Sequence, residues 1–106
     1  MEKCKYTGEV NIQNGPHGQG TAVSENGYRY EGTFKDGSLV KGKRFDLSGA
    51  LEYEGEYSGG YYHGMGTWFC PFGTVQTGRF ERSTLFDGTQ TSPYGTVRKV
   101  VNGKWL

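Results

Sequence analysis

The sequence predicts an all-β protein, an elongated single-layer antiparallel sheet of stacked β-hairpins. Three observations predict it. Segments of the form aromatic-x-Gly-x-aromatic recur at a nearly constant step, beginning at Tyr6, Tyr30, Tyr53 and, in degenerate form, Gln76. Within each segment apolar and polar residues alternate, the period of a strand with one dry face. Between them stand dipeptides suited to positive φ, namely Asn14-Gly15, Asn26-Gly27, Asp36-Gly37, Asp87-Gly88 and Asn102-Gly103, which mark tight hairpin turns.

The elements follow in order. Tyr6-Thr7-Gly8-Glu9-Val10 opens the first copy, which continues through His17-Gly18-Gln19-Gly20 to Asn26-Gly27. Tyr30-Glu31-Gly32-Thr33-Phe34 opens the second, which has Lys41-Gly42 and closes at Ser48-Gly49. Tyr53-Glu54-Gly55-Glu56-Tyr57 opens the third and best preserved, with His63-Gly64-Met65-Gly66 and a close at Gly73. Gln76-Thr77-Gly78-Arg79-Phe80 opens the fourth. Repeats therefore span 6–27, 30–49, 53–73 and 76–88, and residues 89–106 are expected to form a divergent cap of the kind found at repeat-array ends. In that cap Thr89–Pro93 reads as a polar loop and Tyr94–Val101 as a strand. The chain stops midway through a hairpin pattern at Lys104-Trp105-Leu106, as a truncated chain would. Val23, Phe45 and Phe69, each four residues before a closing glycine, form a second apolar stripe.

Composition narrows the function classes. Nineteen glycines with only three prolines and no Gly-X-Y period exclude collagen. Eight tyrosines and six phenylalanines argue against disorder. The formal charge of +1 exerts no global pull on nucleic acid. Cys4 and Cys70 form no CxxC pair, and both read as reduced thiols in a cytoplasmic protein. No apolar run approaches a membrane span.

The pattern Tyr-x-Gly-x-aromatic, then His-Gly-x-Gly, a strand and a closing Gly resembles the MORN (membrane occupation and recognition nexus) repeat. Tyr53–Gly73 matches at nearly every position and Tyr6–Gly27 matches apart from Val10 and a longer turn. Tyr30–Gly49 lacks the His-Gly, and the fourth copy keeps Gly78 and Phe80. The resemblance implies a scaffold or adaptor, and its name implies contact with anionic phospholipid headgroups.

The aromatic stripe is the informative feature. Stacking places Tyr6, Tyr30 and Tyr53 in one row and Val10, Phe34, Tyr57 and Phe80 in another, with Thr7, Glu9, Arg29, Glu31, Glu52, Glu54, Glu56 and Arg79 on the wet face. A one-layer sheet leaves part of such a stripe uncovered, and an open apolar surface marks a binding site. Tyr30, Phe34, Tyr53, Tyr57 and Trp68 are therefore expected to line or support a groove for a protein segment, a helix or an extended peptide. Lys41, Lys43 and Arg44 form a basic cluster that predicts, more weakly, peripheral association with acidic phospholipid. Open edge strands predict a further option, a homodimer. His17 and His63 recur beside glycine and read as turn residues, since no Cys or carboxylate spacing completes a metal site. Gly15–Gly20 lacks the Lys-Ser/Thr and helix of a phosphate loop. No nucleophile has an evident base, so neither catalysis nor a cofactor is expected.

Overall fold

The computed structural model describes residues 4–11 and 15–106. Asn14, half of an expected turn, and the Cys4 thiol lie outside the described residues. Ten strands follow: β1 Cys4–Asn11, β2 Gly15–Ser24, β3 Arg29–Lys35, β4 Ser38–Phe45, β5 Leu51–Ser58, β6 Tyr61–Phe69, β7 Val75–Glu81, β8 Thr84–Thr91, β9 Val97–Val101 and β10 Lys104–Trp105. They form one antiparallel sheet in sequential order, β1 to β10, about 47 Å long. The only helical element among the described residues is a 3-10 turn at Pro71–Gly73. No helix is long and apolar enough to cross a membrane.

Register lines up the repeats residue by residue. Gly8, Gly20, Gly32, Gly42, Gly55, Gly66, Gly78 and Gly88 pair in turn across eight strands, and Val100 ends the row. Two residues away runs a parallel row on the same face: Tyr6, Ala22, Tyr30, Arg44, Tyr53, Trp68, Gln76, Gln90 and Arg98. The glycines are required by close approach. A Cβ on Gly20 or Gly66 would run into the phenol of Tyr6 or Tyr53, which lies across the row. In the second and fourth hairpins no ring lies there, and a Cβ on Gly32 or Gly78 would strike the facing backbone.

The hairpins thus alternate between two builds. In the first and third, the Tyr6 and Tyr53 hydroxyls donate to the Glu9 and Glu56 carbonyls. The carboxylates of those glutamates accept the backbone N–H of Gln19 (2.8 Å) and Met65 (2.6 Å). This bridges a wide bulge that contains His17-Gly18 and His63-Gly64. The second and fourth hairpins have Thr33 and Arg79 in place of the glutamate and bulge by one residue, Val40 or Phe86. A bulge adds local twist and re-aims neighbouring side chains.

Between hairpins the chain turns on five residues. Ser24, Asp46, Cys70 and Ser92 each donate their N–H to the carbonyl four residues on, at 2.8–2.9 Å. Gly27, Gly49, Gly73 and Gly95 hold the fourth position with φ of 88–96°, a conformation glycine adopts at no steric cost. The loop period therefore runs on to Gly95, inside the segment 89–106 expected as a divergent cap. The polar loop expected at Thr89–Pro93 is mostly strand, because Thr89–Thr91 continue β8 beside Val75–Thr77. The strand expected from Tyr94 begins at Val97, since Tyr94 and Gly95 belong to the fourth loop.

His17 and His63 are strand residues, not turn residues. Each ring Nδ1 accepts a backbone N–H from the next hairpin's turn, Asp36 and Arg82 respectively, at 3.4 Å. The preceding carbonyls, Pro16 and Tyr62, accept from Gly37 and Ser83 at 2.8 Å. Phe86 and Asp87 repeat this clasp on Gly103 and Asn102.

The core lies on the ring face. Tyr53, Tyr57, Tyr62, Phe80, Leu85 and Val100 are buried together, with Leu39 and Trp68 against them. Tyr53 stacks on Tyr62 with centroids 3.8 Å apart and meets Tyr57 and Phe80 edge-on. Val10, expected in the ring row, is 62% exposed because β1 is the edge strand and no neighbouring hairpin covers it, whereas Tyr57, behind the same bulge in the third hairpin, is buried. Val23 and Phe69 of the second apolar stripe are partly exposed on the opposite face.

Candidate partner-binding groove

A cavity of about 810 Å³ opens on the ring face. Its floor comes from Ala22 of β2, Tyr30 and Phe34 of β3, and Leu39 of β4. Tyr6 stands at one side and Tyr57 and Tyr62 at the other, with Gly59-Gly60 at the mouth. The trough exists because the small Ala22 stands between two rings of the row, Tyr6 and Tyr30. Tyr6 leans onto Phe34, centroids 5.0 Å apart, and Ala22 leaves the space between Tyr6 and Tyr30 low.

Arg44 closes one end. Register sets it between Tyr30 and Tyr53. Its Nε donates to the Tyr30 hydroxyl at 3.2 Å, and its Nη1 donates to Glu52 at 2.7 Å and to the Tyr62 hydroxyl at 3.1 Å. The guanidinium also lies 4.2 Å from the Tyr28 ring centroid, a favourable cation–π position. Glu52 was expected on the wet face. A bulge makes it the unpaired residue between Leu51 and Tyr53, which turns its half-buried carboxylate to Arg44.

The environment keeps the phenols neutral. Burial, reinforced by the negative charge of Glu56, pushes Tyr53 up to about 12. Burial likewise raises Tyr57 and Tyr62. Among the described residues the buried Tyr57 hydroxyl and the Trp68 Nε1–H find no hydrogen-bond partner, an uncommon state for buried polar atoms.

Of the five residues expected to serve a groove, Tyr30, Phe34 and Tyr57 line it. Tyr53 lies beneath, fully buried, and Trp68 sits beyond Tyr62, centroids 6.4 Å apart. Lys41, Lys43 and Arg44 are not one cluster. Strand alternation puts Arg44 in the groove wall, while Lys41 and Lys43 face the other side opposite Glu56 and Glu54. There they border a shallow hollow of about 420 Å³ with Met65, Thr67 and Thr77. Leu39 and Tyr62 are groove residues that sequence reasoning missed. Leu39 falls outside the repeat signature, and in the Tyr61-Tyr62 pair only the register says which ring turns inward.

Among the described residues no group of three or more His, Cys, Asp or Glu side chains could hold a metal ion. Compared with known proteins, the chain matches no family model and no curated protein.

Proposed function

We propose that this chain is a non-enzymatic binding module of MORN type that holds a short protein segment, helical or extended, in the ring-face groove. One observation carries the reading: the cavity of about 810 Å³ is walled by aromatic rings from three consecutive hairpins. A single-layer sheet has no second layer to fill such a trough, so a partner's apolar side chains are its natural filling. Burial there stabilises a complex by roughly 25 cal/mol per Å² of apolar surface before the cost of ordering the partner. Arg44 is neutralised by Glu52, so shape and apolar burial dominate recognition over net charge.

The test is to pan a displayed random-peptide library on the chain and map selected peptides by amide chemical shifts. Peptides with apolar anchors are expected, with shifts at Ala22, Tyr30, Phe34, Leu39 and Tyr57. Leu39→Lys, which places a charge on the groove floor, is expected to weaken binding at least about tenfold, the effect of about 1.4 kcal/mol. Shifts confined to the opposite face, or a folded Leu39→Lys that binds as the wild type does, would overturn the reading.

A further inference from the structure

We infer that the sheet hinges at the seam between β4 and β5, and that this motion sets the width of the groove. The three neighbouring seams between hairpins are clasped at their turn ends. Asp36 and Gly37 are held by His17 and Pro16, Arg82 and Ser83 by His63 and Tyr62, and Asn102 and Gly103 by Asp87 and Phe86. Among the described residues no hydrogen bond joins the Gly59-Gly60 turn to β4. The second hairpin is the short-bulged build, and where the fourth has the acceptor Asp87 it has Lys41, whose side chain carries no acceptor.

Strand pairing agrees. The pairing of β2 with β3 extends to Gly18 and Phe34, and that of β6 with β7 to Gly64 and Phe80. Pairing of β4 with β5 stops at Lys41 and Glu56, and that of β8 with β9 at Gly88 and Val100, but only the latter is then held by a clasp, from Asp87 and Phe86. Beyond Lys41 and Glu56 no strand pairing joins Leu39 to Tyr57, and both line the groove. The other end of the same seam is tied. Arg44 of β4 bonds Glu52 of β5 and Tyr62 of β6. Asp46 closes the connecting loop by accepting from the Ser48 and Ala50 N–H groups at 2.9 and 3.0 Å. A seam fixed at one end and free at the other pivots, and here the pivot is Arg44. Two glycines in the free turn add backbone freedom. Rotation about Arg44 moves Tyr57 and Tyr62 relative to Phe34 and Leu39, which changes the width between opposite groove walls.

The hinge is measured without any ligand, so its failure and that of the binding reading are separable. Spin labels are placed by Ser38→Cys with Ser58→Cys across the free seam, and by Tyr61→Cys with Glu81→Cys across the clasped seam of β6 with β7, with Cys4 and Cys70 changed to Ser. Pulsed dipolar spectroscopy is expected to give a broader distance distribution for the Ser38–Ser58 pair. His63→Ala is expected to broaden the Tyr61–Glu81 distribution and leave the other unchanged. Equal widths in the wild type, or a Tyr61–Glu81 distribution indifferent to His63→Ala, would overturn the inference.

Discussion

The phenol of Tyr53 occupies the space that a Cβ on Gly66 would need. The ring crosses the glycine row, donates to the Glu56 carbonyl at 2.9 Å and is wholly shielded from solvent. Gly66→Ala therefore overpacks the core without straining the backbone. A loss of about 1–3 kcal/mol is expected, read as a lower urea midpoint. Gly59→Ala has nothing within 4 Å of the new methyl but a φ of 58°, and the left-handed conformation costs it about 1–2 kcal/mol. The two are separated by the double variants with Tyr53→Leu, which removes the phenol. Tyr53→Leu relieves Gly66→Ala and leaves Gly59→Ala unrelieved.

Alkali should unfold the protein through its buried phenols. Tyr53 has a folded-state pKa of about 12 against an ordinary 10.0, and Tyr57 and Tyr62 shift the same way. A raised pKa means the fold favours the neutral phenol. That stability is fully present below pH 10 and is lost as pH rises through about 12. Thermal melts across this window should show a falling Tm, and Tyr53→Phe should flatten the fall.

Asp87 gives the opposite sign. Hydrogen bonding from the Asn102 N–H, and then from Arg79, holds its carboxyl below the ordinary 3.8. Its contribution is present above 3.8 and disappears as pH falls through the lower folded value. Asp87→Ala should abolish protection of the Asn102 amide at neutral pH, measured by hydrogen exchange.

His63→Ala removes the acceptor for the Arg82 N–H. A destabilisation of about 0.5–1.5 kcal/mol is expected, with faster exchange at Arg82 and Ser83. His17→Ala should act alike at Asp36 and Gly37. A metal chelator should change neither variant nor the parent, because the rings bind backbone.

Much of this was legible in the sequence. Aromatic-x-Gly-x-aromatic and the closing glycines specify single-layer hairpins, because few other residues fit those places. The fourth copy was obscured because its turn, Arg82-Ser83, takes positive φ without glycine and its clasp uses Asp87 in place of a histidine. The groove was half legible. Tyr30, Phe34 and Tyr57 follow from alternation. Glu52 and Arg44 do not, because a bulge shifts the face on which a side chain emerges, and a bulge leaves no fixed mark on composition. The histidines misled for a related reason: their partner is a turn nineteen residues on, which only register brings near.

The glycine row also leaves the backbone without side chains of its own along one line, across which the Tyr53 ring lies at Gly66. Gly42, Gly55 and Gly66 belong to that row and also border the shallow hollow on the opposite face, where Lys41, Lys43 and Met65 stand. Ring face and polar face are separated there by a single thickness of backbone. Whatever presses on one side of that membrane-thin strip is felt by the other through peptide groups alone, with no side chain between to absorb it.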